Sequence, residues 1–243
     1  MPPPPTFDAR LTAARMLTPS VRELTLSRED CAPFAFEAGQ WVSLILPLPG
    51  GEVRRSYSIA SCPDGSPRLE MAVTHVQGGP GSTYLHELPI GAQLRIIGPQ
   101  GFFTRAKGAE APALFIGTGT GVTPLRSMLL DAVRRRDARP LWLVFGVRRE
   151  ADMLYEDELR ALAAAHPNLR VEYTLSQPAA TWTGRHGYVQ THVKPLYEEL
   201  AARGEGAPHA YICGLERMVS SVRELLRKDM LLPRELVHSE RYD

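Results

Sequence analysis

The sequence predicts a β + α/β fold, in which an N-terminal antiparallel β-barrel is followed by a parallel α/β sheet. Up to residue 107, short β-like runs alternate with turns rich in Gly and Pro, whereas from residue 108 onward apolar strand-like runs alternate with helical stripes. Short strands joined by turns favour an antiparallel barrel, and strand–helix alternation favours a parallel sheet covered on both faces. We therefore predict two domains, residues 1–107 and 108–243.

The composition is typical of a soluble globular protein. The chain has 243 residues, of which 44% are hydrophobic and 23% charged, and its formal net charge is +1. A balanced charge gives no reason to expect a nucleic-acid or membrane partner. There is no apolar signal core and no run near the ~18 apolar residues of a membrane helix. We therefore expect a cytoplasmic protein, and we expect it to be a monomer.

The cysteines and histidines indicate no metal site. Cys31, Cys62 and Cys213 are widely spaced, and no CxxC pair is present. The sequence thus has no ligand set for a zinc ribbon or an iron–sulfur cluster. The seven histidines show no metal-ligand spacing. We therefore expect no bound metal, and the odd cysteine count argues against a disulfide framework.

The first domain is predicted to contain six strands and one short helix. The strands are expected at residues 10–17, 21–27, 41–48, 53–61, 69–76 and 93–97, and the helix at residues 83–88. Turns rich in Gly and Pro separate these runs, which is typical of an antiparallel barrel.

The second domain is predicted to alternate strands and helices. Strands are expected at residues 113–116, 141–147, 171–175, 210–212 and 236–242, and helices at residues 124–136, 155–165, 189–203 and 216–230. The first of these helices has apolar residues at positions 125, 128, 129, 132 and 133, which form one helical face. Thr123 is its predicted N-cap, and Pro124 its predicted first residue.

A glycine-rich loop joins the first strand and helix of the second domain. It reads GTGTGVTP over residues 117–124. Glycines let the backbone approach a ligand closely, and a helix N-terminus offers free N–H groups to a phosphate. The loop therefore favours a Rossmann-like nucleotide domain over a plain strand–helix turn without a ligand. It is not a Walker loop, because no Gly-Lys-Ser/Thr follows.

Two segments of the first domain also suit an anionic ligand with a flat ring. In RSYSIAS, residues 55–61, strand alternation places Arg55, Tyr57 and Ile59 on one face. A guanidinium suits phosphate, and a phenol suits a flat ring. The GGPGST segment, residues 78–83, opens the short helix with backbone donors and hydroxyls. Taken alone, Arg55 and Tyr57 also fit an exposed strand end.

Cys213 and Gly214 end a strand at the edge where α/β sheets bind ligands. A single cysteine at such a place is more often a small buried residue than a nucleophile. The sequence places no histidine or acid where it would activate this thiol.

Together these motifs resemble the ferredoxin–NADP reductase family of flavoenzymes, over essentially the whole chain. The motifs stand in the family order: Arg-x-Tyr-Ser at residues 55–58, the glycine-rich loop with Ser82, Gly-Pro-x-Gly-x-Phe at 98–103, the loop at 117–124, Cys213-Gly214, and Glu240-Arg241-Tyr242. The resemblance implies that the barrel binds FAD and that the α/β domain binds NAD(P)H.

The resemblance also implies a role for individual residues toward FAD. Arg55 is implied to contact the pyrophosphate, Tyr57 to stack on the isoalloxazine, and Ser58 to hydrogen-bond near the flavin nitrogen that accepts hydride. The residues implied to bind FAD are Arg55, Ser56, Tyr57, Ser58, Ile59, Val73, Gly79, Gly81, Ser82, Thr83, Thr120 and Tyr242.

A second set is implied to bind the nicotinamide coenzyme or to act in the reaction. The residues implied to bind NAD(P)H are Gly117, Thr118, Gly119, Thr120, Gly121, Pro124, Arg148, Arg149, Ser176, Arg185, Tyr188, Cys213 and Gly214. The implied catalytic residues are Ser58, Cys213, Glu240 and Tyr242. Tyr242 is implied to cover the flavin and to move aside for nicotinamide, and Asp243 adds a carboxylate beyond the family's usual terminal tyrosine.

The residues near the coenzyme's 2′ position favour NADPH and leave NADH open. Ser176 is not an acid, whereas a ribose 2′-hydroxyl prefers an acid. Gln177 stands where NADPH-using relatives often have arginine. Arg185, Arg148 or Arg149 would then supply the positive charge.

The electrons must leave to a separate partner, because the sequence has no cluster or haem ligands. The favoured partner is a one-electron carrier of the ferredoxin or flavodoxin type. Such carriers are acidic, so a basic patch would support this, drawn from Arg54, Arg68, Arg95 and Arg105. The alternatives are an NADH-dependent reductase component of an oxygenase system, a free-flavin or ferric reductase, a subunit of a larger electron-transfer complex, and a binding module without turnover.

Overall fold

The computed structural model describes residues 3–105 and 111–242. The chain divides into two compact units, and residues Arg126–Asp131 group with Met1–Arg105 in the first unit. The predicted boundary between residues 107 and 108 lies outside the described residues, as does Asp243. The division at that position therefore stays a prediction.

The first unit is an antiparallel sheet of six strands with one short helix, as the sequence predicts. Its elements are β1 (Thr6–Thr18), β2 (Val21–Arg28), β3 (Trp41–Leu48), β4 (Gly51–Ser58), β5 (Arg68–Thr74), α1 (Pro80–Glu87) and β6 (Gln93–Gln100). The strands lie in the order β4-β3-β6-β1-β2-β5.

This sheet curls so that its two outermost strands approach each other. Just beyond β4, the Ala60 amide donates to the Glu70 carbonyl of β5 at 2.7 Å. Alternate residues of the strands point inward, where Leu11, Leu24, Leu44, Met71 and Ile96 are fully buried. The inward face therefore encloses the core of the barrel.

The second unit is a parallel sheet of six strands accompanied by helices. The elements of this part of the chain are β7 (Ala113–Thr118), α2 (Val122–Arg134), β8 (Leu141–Val147), α3 (Glu156–Ala165), β9 (Leu169–Leu175), β10 (Arg185–His186), α4 (Gln190–Ala201), β11 (His209–Leu215), α5 (Glu216–Glu224) and β12 (Val237–Tyr242). Within α2, residues Arg126–Asp131 belong to the first unit. The strand order is β10-β9-β8-β7-β11-β12. The predicted fold class is confirmed, although the two-residue strand β10 was not predicted.

The strand order reverses between β7 and β11. The chain passes from β7 to β8 on one side and later returns to β11 on the other. Ligands of such sheets bind at the carboxyl ends of the strands, where the order reverses. The glycine-rich loop follows β7 and Cys213-Gly214 lies in β11, so both motifs lie at this position.

Two helix predictions were wrong in detail. A 3-10 turn at Gly119–Gly121 precedes α2, which begins at Val122, so Pro124 is the third residue of the helix and not the first. Thr123 does not cap the helix, because its hydroxyl donates to the Thr120 carbonyl at 2.8 Å instead of accepting from an N–H group. The predicted helix at residues 216–230 ends its α-helical part at Glu224 and continues as a π-helical turn, Leu225–Asp229.

None of the helices in the described ranges combines the length and hydropathy needed to cross a membrane.

Candidate functional site

Strand β4 places Arg55 and Tyr57 on the same face of the first unit. Tyr57 lies opposite Val42 of β3, and Arg55 lies opposite Leu44. Both partners are fully buried in the core, and opposite residues of an antiparallel pair point to the same side of the sheet. Arg55 itself is exposed and Tyr57 is partly buried. The predicted alternation is therefore present.

Tyr57 presents a neutral ring. Burial raises the pKa of its hydroxyl to about 12, and the nearby Arg55 charge opposes that shift. The phenol therefore stays protonated across the physiological pH range. A neutral, partly buried ring suits stacking against another flat ring.

Arg55 lies against the first turn of α1. A Cβ added at Gly81 would lie 3.4 Å from the Arg55 Cγ and 3.6 Å from its Nε. The helix begins with Pro80 after the N-cap Gly79. A guanidinium and the free N–H groups of a helix start thus meet at one place, which suits an anion such as the FAD pyrophosphate. A side chain at position 81 would come into contact with Leu46 and Arg55.

The remaining predicted FAD residues of the first unit lie around these groups. The Ser82 hydroxyl accepts from the Val76 amide at 3.0 Å and lies 3.1 Å from the Gly79 carbonyl oxygen, so it holds the glycine loop in shape. The Ser56 hydroxyl is 3.4 Å from that of Ser43. Ser58 is buried at the end of β4. The contacts of these residues with FAD stay predictions.

In the second unit, the glycine-rich loop packs directly on β11. A Cβ at Gly121 would lie 2.3 Å from the Cys213 carbonyl oxygen, and a Cβ at Gly214 would lie 2.3 Å from the Thr118 Oγ1. Gly214 also has a φ of +152°. Glycine is therefore required at both positions, because the two segments approach too closely for side chains.

Thr118 has a polar side-chain atom, without a hydrogen-bond partner in the described part of the chain, where the glycine-rich loop packs on β11. Its Oγ1 is buried and has no hydrogen-bond partner among the residues that the structure describes. A buried hydroxyl without a partner is costly unless a ligand or water bonds to it. Together with the N–H groups of the loop, it fits a polar nucleotide ligand.

Cys213, Glu240 and Tyr242 come together at the carboxyl end of the sheet. Cys213 lies opposite Glu240 of β12 and opposite Gly117 of β7. Burial raises the pKa of the Cys213 thiol and the Glu240 carboxylate raises it further, whereas a hydrogen bond with Tyr242 acts in the opposite direction. The Tyr242 hydroxyl also lies 3.4 Å from the Thr123 Oγ1. The cluster is therefore a protonated thiol beside a carboxylate and a phenol.

The residues predicted to read the 2′ position follow the ends of three adjacent strands. Arg148 and Arg149 are exposed after β8, Ser176 follows β9, and Tyr188 follows β10 with 68% of its surface exposed. The Ser176 amide donates to the Val147 carbonyl at 3.1 Å, which holds the first two strand ends together. These residues lie at the same edge of the sheet, as a ligand site requires.

Arg185 differs from Arg148 and Arg149 in its ion pairing. Its Nε donates to Glu172 Oε2 at 2.9 Å, and Glu172 also pairs with Arg170. Within the described ranges, neither Arg148 nor Arg149 forms an ion pair. The charge of Arg185 is thus already balanced, whereas those of Arg148 and Arg149 remain available to a phosphate.

The four arginines considered for a basic patch do not share one environment. Arg54 and Arg95 both lie opposite Ile45 and line a surface hollow of about 460 Å³, where Arg95 pairs with Glu52 at 2.6 Å. Arg105 is only 6% exposed. Arg68 lies at the start of β5 and does not line this hollow. The structure thus brings Arg54 and Arg95 together.

Sequence reasoning missed Arg126 and Ser127. Both are buried in the first unit, where they bind carbonyl oxygens just after the RSYS motif. The only sequence signal was the presence of polar residues between the apolar positions of a helical stripe. That signal is typical of a solvent-facing side of a helix, so it did not reveal these contacts.

Comparison with known proteins agrees with this geometry. The family model of the oxidoreductase FAD-binding domain matches residues 8–104, and that of the oxidoreductase NAD-binding domain matches residues 115–224. The fold and the site therefore define an NAD(P)H-dependent flavoprotein reductase that uses FAD.

Three similar proteins indicate which family of flavoprotein reductases the chain belongs to. Ferredoxin–NADP reductase B of Sorangium cellulosum is 60% identical over 238 residues, which cover 98% of each chain. The phenol hydroxylase P5 protein of Acinetobacter pittii is 31% identical over 97% of this chain and 65% of its own length. The solved structure of an Amycolatopsis cytochrome P450 reductase has a TM-score of 0.83 and 28% identity, over 98% of this chain and 70% of that one. The present chain belongs to the ferredoxin–NADP reductase family, which confirms the resemblance seen in its motifs.

Proposed function

We propose that this reductase oxidises NADPH in preference to NADH and passes electrons singly to a carrier of the ferredoxin or flavodoxin type. The observation that carries the proposal is the 60% identity to ferredoxin–NADP reductase B over nearly the whole of both chains. Two observations support the preference for NADPH. The exposed Arg148 and Arg149 follow β8, and position 176 holds a serine and not an acid.

The first unit supplies the residues that would hold FAD. Arg55 and the first turn of α1 bind the pyrophosphate, and Tyr57 supports the flat ring. Ser58 is proposed to hydrogen-bond the ring near the atom that receives hydride. When bound, FAD supplies the redox chemistry, because it accepts two electrons as hydride and releases them one at a time.

The second unit supplies the residues that would hold NADPH. The loop at residues 117–121 binds the coenzyme pyrophosphate with its N–H groups, and Thr118 adds its unsatisfied hydroxyl. Arg148, Arg149 and Ser176 bind the 2′-phosphate, and Tyr188 stacks on the adenine. This assignment leaves Arg185 in its ion pair with Glu172.

Cys213, Glu240 and Tyr242 are proposed to shape the place where nicotinamide reacts. The raised pKa of the Cys213 thiol keeps it neutral, so it fills space without acting as a covalent nucleophile. The Glu240 carboxylate lies beside this thiol. With FAD and coenzyme bound, Tyr242 would cover the flavin and would move aside for nicotinamide. Residues 1–107 and 108–243 are the proposed FAD and NAD(P)H domains.

A second candidate function is that of a reductase component of an oxygenase system. The similarity to the phenol hydroxylase P5 protein over 97% of this chain favours it. The two candidates differ in the electron acceptor, and the second also allows NADH as donor.

An anaerobic stopped-flow titration with NADPH and NADH in parallel tests the proposal. Fast loss of the flavin's visible absorbance with NADPH, followed by reduction of added ferredoxin or flavodoxin, is the expected result. Faster bleaching by NADH would favour the oxygenase-component alternative. A yellow protein that neither coenzyme bleaches would contradict reductase activity.

A further inference from the structure

Arg126 binds the chain directly after the flavin motif. Arg126 is 6% exposed, and its Nη1 donates to the Ala60 carbonyl at 2.8 Å and to Glu70 Oε2 at 2.8 Å. Ala60 is separated from the RSYS motif only by Ile59. A buried guanidinium is tolerated only when it is paired and hydrogen-bonded, and both conditions are met here.

Ser127 binds the next carbonyl along the same segment. It is fully buried, and its hydroxyl donates to the Ser61 carbonyl at 2.6 Å. The Ser61 hydroxyl in turn accepts from the Glu70 amide at 3.1 Å, and the Ala60 amide donates to the Glu70 carbonyl at 2.7 Å. Residues 60 and 61 are therefore held both by β5 and by two consecutive side chains of α2.

The hydrogen bonds of Arg126 and Ser127 fix the position of residues 60 and 61 more closely than apolar packing would. Apolar contacts tolerate small shifts, whereas hydrogen bonds weaken steeply when their geometry changes. Moving the end of β4 would break the bonds of Arg126 and Ser127 together and leave buried polar groups unsatisfied. The same strand end carries Tyr57 and Ser58.

We propose that Arg126 and Ser127 are positioning residues, which fix the end of strand β4 and so set the orientation of Tyr57 and Ser58 toward FAD. The inference rests on the proposed role of residues 55–59 in binding FAD. It predicts that removing the network changes the affinity for FAD and the flavin spectrum, while the recognition of NADPH stays the same.

The test compares Ser127→Ala and Arg126→Met with the conservative variants Ser127→Thr and Arg126→Lys. Loss of one buried hydrogen bond is worth about 3- to 10-fold in an equilibrium constant. We therefore expect the FAD dissociation constant of Ser127→Ala to rise by up to that factor, with a shift of the flavin visible bands and of its midpoint potential. The conservative variants should recover part of both effects, and Ser127→Ala remains informative if Arg126→Met does not fold.

Leu129→Val is the matched control. Leu129 is buried on the same helix, so its truncation lowers stability without removing a hydrogen bond to residues 60 and 61. Wild-type FAD affinity and flavin spectrum in Ser127→Ala, or changes no larger than those of Leu129→Val at an equal loss of Tm, would overturn the inference. Wild-type protein that binds no FAD would instead contradict the proposed function, so the two failures are distinguishable.

Discussion

Cys213 lies directly opposite Glu240 on adjacent parallel strands, at the carboxyl end of the sheet where the strand order reverses. The thiol is fully buried, and both burial and the Glu240 carboxylate raise its pKa. Because the thiolate is the reactive form, Cys213 should resist alkylation. We expect iodoacetamide at pH 8 to modify the exposed Cys31 well before Cys213, as measured by peptide mass spectrometry.

The variant Cys31→Ser removes the exposed thiol, so that labelling of Cys213 can be measured without it. In this variant Cys213 should remain unmodified until the protein unfolds. Labelling of Cys213 at the rate of an exposed thiol would contradict its assignment as a neutral, space-filling residue.

Arg55→Ala should weaken the retention of FAD. A charge-assisted hydrogen bond contributes about 1.5–3 kcal/mol. Its loss should therefore raise the FAD dissociation constant by roughly 10- to 100-fold, which flavin fluorescence on dilution can measure.

Arg54→Ala is the matched control for this substitution. Arg54 is the preceding residue of the same strand and points to the opposite face, where it lines the hollow beside Ile45. Removing it changes the net charge equally but leaves the Arg55 side of the strand intact. Equal loss of FAD in both variants would show that charge, and not the placement of Arg55, is responsible.

Much of this arrangement was predictable from the sequence because local patterns determine it. The alternation of Arg55 and Tyr57 follows from strand geometry, and the glycine-rich loop is a contiguous motif between a buried strand and a helix. In both cases the sequence signal and the structural unit have the same length. That Cys213-Gly214 and Glu240 lie in one site was implied by the resemblance to the family, because these segments are distant in sequence.

Other features depend on pairing between distant segments. Ser127 bonds to Ser61 across 66 positions of sequence, and no local pattern identifies such a partner. Strand β10 has only two residues, so its pairing with β9, which brings Arg185 beside Glu172, could not be foreseen. Thr123 resembles an N-cap in sequence, but the preceding 3-10 turn directs its hydroxyl to the Thr120 carbonyl.

The coenzyme preference should depend on Arg148 and Arg149 and not on Arg185. The double variant Arg148→Ala/Arg149→Ala removes two exposed cations at the end of β8. A phosphate contact of this kind is worth about tenfold or more in affinity. We therefore expect the KM for NADPH to rise by about that factor while the KM for NADH stays the same, because NADH lacks the 2′-phosphate.

Arg185→Ala is the comparison for this prediction. Its guanidinium pairs with Glu172, so its loss should lower Tm slightly and leave the preference for NADPH unchanged. If Arg185→Ala abolished that preference and the double variant did not, the assignment of the 2′-phosphate site would be wrong.

His238 should make stability depend on pH. Its Nε2 lies 2.9 Å from the His209 Nδ1, and its ring stacks on Tyr211 with 4.6 Å between centroids. Burial lowers the pKa of His238, and His209 lowers it further. The unfolded chain therefore binds a proton more readily, so stability is complete above the unfolded pKa of 6.5 and is lost as pH falls below it.

The measurement is the free energy of unfolding by urea at several pH values below 7. One such group contributes a slope of at most about 1.4 kcal/mol per pH unit. His238→Phe keeps a ring for stacking but removes the titrating group. The free energy of unfolding should therefore change less steeply with pH in this variant. An identical slope in both proteins would assign the pH dependence to other residues.

Tyr242→Ser should increase occupancy by nicotinamide and relax the preference toward NADH. Removing the ring removes the group that nicotinamide is proposed to displace, and binding improves when a competing contact no longer has to be broken. The preference should relax because kcat/KM for NADPH, already raised by its 2′-phosphate contacts, reaches the limit set by association before that for NADH does. The measurements are the long-wavelength charge-transfer absorbance and the ratio of kcat/KM for the two coenzymes.

Tyr242→Phe separates the ring from its hydroxyl. The hydroxyl interacts with Cys213 and lies 3.4 Å from the Thr123 Oγ1, so it holds the ring in one orientation. Without it, the ring should still compete with nicotinamide but move aside more easily, which gives a charge-transfer band between those of wild type and Tyr242→Ser. If coenzyme preference and charge-transfer absorbance were unchanged in both variants, Tyr242 would be a packing residue of β12 and not the group that nicotinamide displaces.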